Sequence, residues 1–165
     1  MKPDLLPNID FAALPRTYEL VIPEKFLDEM GHMNVSWYTH LFSEAMGGIM
    51  GLVGLSLEYI ETEKMGGVAL EGHIHYLAEV HVGESVTIYS RLIERTEKRV
   101  HLVHFMVNES RGNVAALFEN IMACFDLKAR RMAPIPNDIA TKIDDAIEKH
   151  QQLDWPPPLC GVMKP

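Results

Sequence analysis

The longest helical pattern in the chain spans residues 35–53. Apolar residues recur there at intervals of three and four over a wide arc, which is the spacing of a helix buried in a core. Asn34 precedes the pattern and is a good N-cap residue. Gly47, Gly48 and Gly51 interrupt its second half and Gly54 follows it, and each glycine is costly inside a helix. They predict the close approach of another backbone and a helix end between Gly51 and Gly54.

Five segments carry the β-branched and aromatic residues that are typical of strands: residues 18–22, 68–80, 85–96, 100–108 and 114–127. Turn residues separate the last four segments, which predicts three consecutive hairpins and an antiparallel meander. A polar helix is predicted over residues 138–151, with one apolar line formed by Ile139, Ile143 and Ile147. Residues 1–15 contain three prolines and are predicted to form an arm.

This order of elements predicts an α+β fold in which an antiparallel sheet wraps around one long central helix. We expect a single domain over residues 1–165, with a core at about 16–130 and a C-terminal helix and Pro-rich tail at 137–165. The outer edges of such a sheet stay open, and open strand edges usually demand a partner. The prediction is a homodimer or a homotetramer.

Composition narrows the class of protein. Apolar residues make up 47% of the 165 positions, as in a globular domain. No apolar run approaches the roughly 20 residues of a membrane helix, and the first thirty residues lack the pattern of a signal peptide. We therefore expect a cytoplasmic protein without a membrane partner. The net charge of −8 argues against binding to nucleic acid.

The two cysteines and the clustered basic residues give weaker indications of compartment and charge distribution. Cys124 is expected to pack in the core and Cys160 to lie exposed in the tail, which leaves both thiols free and favours a reducing compartment. Two basic clusters can oppose the acidic net charge locally, although we expect them to be solvated strand ends. They consist of Arg91, Arg95, Lys98 and Arg99, and of Lys128, Arg130 and Arg131.

A compact polar set precedes the long helix: Asp28, Gly31, His32 and Asn34. A helix N-terminus offers unpaired N–H groups and partial positive charge, which can stabilise an oxyanion. Asp28 can attack a carbonyl carbon or activate water there. Gly31 allows a substrate to approach closely, and His32 and Asn34 can hold water or the carbonyl oxygen. A simpler explanation is that Asp28 and Asn34 only cap the helix.

Glu71, His73 and His75 alternate along one predicted strand and therefore share a face. We expect Glu71 to position water at the Asp28 site and His73 to contact substrate, either within one chain or across a subunit boundary. A metal site is a weaker alternative because spacing fixes no third ligand, and no metal is expected. A polar strand facing solvent is the plainest explanation.

The run Asp28-x-x-Gly31-His32-x-Asn34-x-x-x-Tyr38 resembles the signature of the 4-hydroxybenzoyl-CoA thioesterase-like hotdog family. In that family the first Asp is the catalytic carboxylate, on the loop before the central helix of a hotdog fold. The likeness covers residues from about 18 to 127. Within the family the chain is most similar to betainyl-CoA thioesterases of carnitine breakdown, on the stretches 31–34, 70–80 and 99–102. Many relatives carry Asn two residues after the acid, where this chain has Met30.

The resemblance implies a thioesterase that hydrolyses an acyl-CoA to free acid and CoA, with no cofactor beyond the CoA of the substrate. If the missing Asn normally orients water, Asn34 or Glu71 takes its place. A betainyl group cannot donate hydrogen bonds and favours aromatic faces, so Trp37 and Tyr38 are candidates for substrate binding. Two alternatives remain: an acyl-thioester hydratase or dehydratase, and a non-catalytic module that binds acyl-CoA or another small molecule.

Overall fold

The structure, a computed structural model, describes residues 9–165, so the first eight residues of the predicted arm lie outside the described part. The elements follow in this order: strand β1 (Arg16–Val21), helices α1 (Val35–Leu52) and α2 (Leu57–Glu63), strands β2 (Met65–Tyr76), β3 (Ser85–Arg95), β4 (Arg99–Asn108), β5 (Asn113–Asp126) and β6 (Arg131–Met132), and helix α3 (Asn137–Gln151). Short 3₁₀ turns occupy Phe11–Ala13 and Glu24–Phe26.

The strands form one antiparallel sheet in the order β1-β3-β4-β5-β2, with β6 attached to β5. Two of the three predicted hairpins, β3–β4 and β4–β5, are confirmed. The predicted β2–β3 hairpin is wrong, because β2 pairs with the far side of β5 and β1 takes the edge of β3. β2 also ends at Tyr76 rather than at residue 80. Turn residues mark where a strand ends, but after β2 they did not show that the next strand along the chain lies elsewhere in the sheet.

Helix α1 lies against one face of this curled sheet, as the apolar periodicity predicts. The Oδ1 atom of Asn34 accepts the N–H of Ser36 at 3.0 Å, which confirms the predicted cap, and the helix ends at Leu52 as expected. A Cβ atom at Gly48 would lie 2.2 Å from the carbonyl oxygen of Thr17. The glycine therefore lets α1 pack directly on the backbone of β1.

The face of the sheet opposite α1, called the outer face here, is covered by the two ends of the described chain. Its apolar cluster includes Val103, Phe105 and Leu117, with Leu14 from the N-terminal segment and Trp155 from the tail packed on it. Because both segments fold back onto the sheet, this face is largely closed to solvent.

Burial of Arg91 corrects the prediction of a solvated basic cluster. Only 5% of this residue is exposed, and its guanidinium donates to the carbonyl oxygens of Trp155 and His150 at 2.8 and 2.9 Å. Cys160, expected to be exposed, is half-buried because its N–H donates to the carboxylate of Glu119 at 2.6 Å. The tail is thus held by main-chain contacts that side-chain patterns do not reveal.

No single helix in residues 9–165 has the length and apolar character to cross a membrane. α1 and α2 meet those criteria only when taken together, as a pair bent by 71°.

Candidate active site

A tight turn between β1 and α1 sets the position of Asp28. The Asp28 N–H donates to the carbonyl oxygen of His32 at 3.0 Å, and the Gly31 N–H donates to the carbonyl oxygen of Asp28 at 3.2 Å. Gly31 has a φ of +85°, a conformation that side chains with a Cβ atom rarely adopt. Gly31 therefore closes the turn that brings the Asp28 and His32 side chains together.

The Asp28 carboxylate is held by two groups of its own loop. Its Oδ1 accepts the Met30 N–H at 2.9 Å, and its Oδ2 lies 3.4 Å from Nδ1 of His32. Only 13% of the Asp28 side chain is exposed. The Met30 side chain points into solvent, with 81% exposed. Position 30 therefore contacts the carboxylate through its main chain, and Asp28 does not cap α1.

A cavity of about 370 Å³ opens beside this carboxylate. It lies between the Asp28 turn, the start of α1 and the chain at the end of β2. Its walls are formed by Asp28, His32, Met33, Asn34, Val35, Tyr38, Tyr76, Leu77, Ala78 and Glu79. Local sequence thus supplies one wall, whereas the other comes from a segment more than forty residues away.

Among the residues that line the cavity, His32, Val35 and Glu79 have main-chain N–H groups without an acceptor in residues 9–165. The Gly31 N–H is already used within the turn. The Asn34 side chain accepts both the N–H and the hydroxyl of Ser36, so it caps the helix while it lines the cavity. The available donors on the Asp28 side are therefore the N–H of His32 in the turn and the N–H of Val35, the first residue of α1, where the helix dipole is positive.

Aromatic rings form the wall facing the turn. Tyr38 and Tyr76 meet edge to face at 87°, with ring centroids 5.3 Å apart. The Tyr38 hydroxyl donates to the carbonyl oxygen of Ala78 at 3.3 Å. Burial is the main cause that raises the pKa of Tyr38 to about 12, so this phenol stays neutral. Half of Tyr76 is exposed, which leaves ring surface available to a ligand.

Trp37, predicted to contact substrate, packs elsewhere. Its ring stacks on Phe26 at 3.7 Å between centroids, with planes 9° apart, and meets His40 edge to face. It is absent from the residues that line the cavity. The helical periodicity explains this, because Tyr38 faces the core and its chain neighbour Trp37 turns about 100° away.

The structure does not bring Glu71 or His73 to this cavity within one chain. Strand pairing aligns Glu71 with Ile121, His73 with Glu119 and His75 with Leu117, and Leu117 belongs to the outer-face cluster. The three side chains do share a face, and the rings of His73 and His75 stack at 4.5 Å. That face is the one opposite α1, so the catalytic and binding roles predicted for Glu71 and His73 have no geometric support within the chain.

Six residues that line the cavity were not predicted as site residues, and two of them carry polar side chains, Tyr76 and Glu79. Both lie in the stretch 70–80 that carries part of the family resemblance, so a signal was present. The prediction of one continuous strand over residues 68–80 obscured this signal. In the structure the strand ends at Tyr76, and from Leu77 the chain turns away from the sheet and toward the Asp28 turn.

Comparison with known proteins gives consistent matches. The model of the thioesterase-like superfamily matches residues 22–143. A betainyl-CoA thioesterase of Pseudomonas aeruginosa is 27% identical over 140 residues, covering 85% of this chain and 88% of that protein. An L-carnitine dehydrogenase/betainyl-CoA thioesterase of Rhizobium meliloti is 26% identical over 149 residues. The match covers 90% of this chain but only 30% of the length of that relative.

Among solved structures, a hypothetical protein of Staphylococcus aureus in complex with CoA superposes with a TM-score of 0.79. The two sequences are 25% identical, and the match covers 87% of this chain and 90% of the other.

Proposed function

Because the chain belongs to the thioesterase-like superfamily, with a sheet wrapped around a central helix in the hotdog manner, we propose that it hydrolyses an acyl-CoA to a free acid and CoA. One observation supports this most directly. The Asp28 carboxylate, 13% exposed, faces a cavity whose lining also includes His32 and Val35, the first residue of α1, both with unpaired main-chain N–H groups.

In the proposed reaction Asp28 acts as a general base. It accepts a proton from a water molecule whose oxygen adds to the thioester carbon. The N–H groups of His32 and Val35 stabilise the negative charge that develops on the carbonyl oxygen. The C–S bond then breaks, and the proton passes to the CoA thiolate. His32 orients the carboxylate, and the reaction uses no cofactor beyond the CoA of the substrate.

Asp28→Asn tests this role by replacing the base with an amide of nearly the same shape. We expect thiol release from acyl-CoA to fall by about 10²- to 10⁴-fold. Glu29→Gln is the matched control, because it removes an adjacent carboxylate that is exposed, and its activity should equal the wild type. Unchanged hydrolysis in Asp28→Asn would overturn the mechanism. Hydration of an enoyl-CoA without thiol release would instead support a hydratase.

The acyl group that we propose is betainyl, which would place the enzyme in carnitine breakdown. The match to the Pseudomonas aeruginosa protein supports this, since it extends over 88% of that protein. The free thiols of Cys124 and Cys160 favour a reducing compartment, and we propose the cytoplasm. A thiol-release screen over short, aromatic, long and trimethylammonium acyl-CoAs tests the acyl preference.

We further propose that the enzyme is a homodimer joined through the free edge of β2. This strand has twelve residues, only one of which, Gly66, is buried, and long open edges favour strand addition. Leu70→Lys should shift the protein to monomers in sedimentation velocity. Val21→Lys is the control on the opposite edge strand, where Val21 is 60% exposed. A dimer that survives in Leu70→Lys and dissociates in Val21→Lys would place the interface at β1 instead.

A further inference from the structure

The cavity beside Asp28 is lined by negatively charged side chains and by no Lys or Arg. Its lining contains two carboxylates, from Asp28 and Glu79, and one imidazole, but neither Lys nor Arg. The field of these carboxylates attracts a cation and repels an acyl group that ends in a carboxylate. The nucleotide of CoA carries phosphates and is therefore expected to lie outside this cavity, with only the acyl end inside it.

The aromatic wall of the same cavity suits a cation that cannot donate hydrogen bonds. The rings of Tyr38 and Tyr76 stand at 87° to each other, and the Tyr38 hydroxyl is already satisfied by Ala78. Aromatic faces attract quaternary ammonium groups through the ring quadrupole. Tyr76 is half exposed, so its ring has accessible surface that a ligand can contact.

Glu79 completes this arrangement at the rim of the cavity. Its side chain is 65% exposed, and its Oε2 lies 3.6 Å from Nε2 of His81. Glu79 has no part in holding Asp28 or closing the turn. It can therefore contribute charge to substrate binding without taking part in the hydrolysis.

We propose that Tyr76 and Glu79 are the specificity-determining residues of this enzyme and that they bind the quaternary ammonium of a cationic acyl group. The proposal rests on the thioesterase function proposed above. Tyr76 supplies a ring face and Glu79 a carboxylate, so the favourable interaction depends on the positive charge of the acyl group and not on its shape.

A pair of substrates isolates that charge. Betainyl-CoA and 3,3-dimethylbutanoyl-CoA have nearly the same shape at the acyl end. The first ends in a positively charged trimethylammonium group, and the second carries a neutral carbon in place of the nitrogen. We expect the wild type to prefer betainyl-CoA by about tenfold or more in kcat/KM. Glu79→Gln and Tyr76→Leu should each reduce this preference by about three- to tenfold, because the loss falls more heavily on the charged substrate than on the neutral one. Glu61→Gln, which removes an exposed carboxylate of α2, is the control and should keep the full preference.

The outcomes separate this inference from the proposed function. Equal losses on both substrates in Glu79→Gln and Tyr76→Leu would overturn the inference, as would a wild type that hydrolyses both substrates equally well. If the wild type releases no thiol from any acyl-CoA, the proposed function fails. Calorimetric binding of the two intact thioesters then still measures the preference, and equal affinities would overturn the inference.

Discussion

The Nδ1 atom of His32 lies 3.4 Å from the Oδ2 atom of Asp28. The two residues are four positions apart and face each other only because the chain reverses at Gly31. Asp28 Oδ1 is already bonded to the Met30 N–H. His32 is therefore the one side chain of the turn that can orient the remaining oxygen of the carboxylate.

Removal of this imidazole should slow catalysis without preventing substrate binding. In His32→Leu we expect kcat to fall by about tenfold, with KM changed little, because the base loses its orientation. His32→Asn places an amide nitrogen near the position of Nδ1 and should recover most of the rate. Steady-state kinetics on acyl-CoA measures both variants. Wild-type kcat in His32→Leu would remove His32 from the mechanism.

The turn itself should be sensitive to any Cβ atom at position 31. Nothing lies within 4 Å of a Cβ built on Gly31, so Gly31→Ala tests only the backbone at φ +85°. We expect a loss of about 1 kcal/mol in the free energy of unfolding and a drop of about tenfold or more in kcat as Asp28 shifts.

The matched control for this variant is Gly112→Ala in the turn between β4 and β5. Gly112 has a φ of +66° and also has open space around it. The two variants should lose similar stability in urea denaturation, whereas only Gly31→Ala should lose activity. Equal activity losses would show that strain, rather than the position of Asp28, controls the rate.

The contact between α1 and β1 predicts opposite effects at two neighbouring glycines. In Gly48→Ala the new Cβ would lie 2.2 Å from the Thr17 carbonyl oxygen, and we expect a cost of about 2–3 kcal/mol. In Gly47→Ala nothing lies within 4 Å, so the variant should be as stable as the wild type or gain up to about 1 kcal/mol. Urea denaturation measures the free energy of unfolding of both variants. Equal stabilities in the two variants would contradict the close contact between Gly48 and Thr17.

Acid should destabilise the protein through His104. Burial lowers the pKa of this residue from 6.5 to about 3. Its Nδ1 bonds the Ser90 hydroxyl, while its Nε2 has no partner among the described residues. Between those two pH values the unfolded chain binds a proton that the folded chain does not. Stability therefore falls as the pH drops below 6.5, by about 1.4 kcal/mol per unit.

His104→Asn should remove about 2 kcal/mol of the stability difference between pH 7 and pH 5. The readout is this difference in urea denaturation, so it holds even if the variant is less stable at both pH values. His40→Asn, exposed on α1, is the control and should keep the wild-type pH dependence. An unchanged dependence in His104→Asn would show that other groups take up the proton.

Features set by local chain chemistry could be predicted well. The apolar periodicity of residues 35–53 and the cap at Asn34 predicted α1 to within a residue at each end. Asp28 and His32 could be predicted as neighbours of the helix start because they lie on the same short loop. The contact of Met30 with Asp28 could not, since it is made by a main-chain N–H that every residue except proline carries.

Features that depend on distant pairing could not be predicted. Alternation along β2 correctly grouped Glu71 with His73, but it could not tell which face of the sheet they occupy. That face is decided by the register with β5, which contains an irregularity between Ala69 and Glu71. A shift of one residue exchanges the two faces of a strand. The expected site residues consequently lie on the outer face.

The sequence by itself determined helices α1 and α3, most strand positions and the turn at Asp28, because hydrophobic periodicity, capping and turn chemistry act over a few residues. Helix α2 was not predicted. Only the tertiary structure decided the strand order, the face that each strand residue occupies and the second wall of the cavity. Those features depend on which distant segments share a backbone ladder. Tyr76 and Glu79 reach Asp28 because β2 pairs with β5 and then leaves the sheet toward the start of α1.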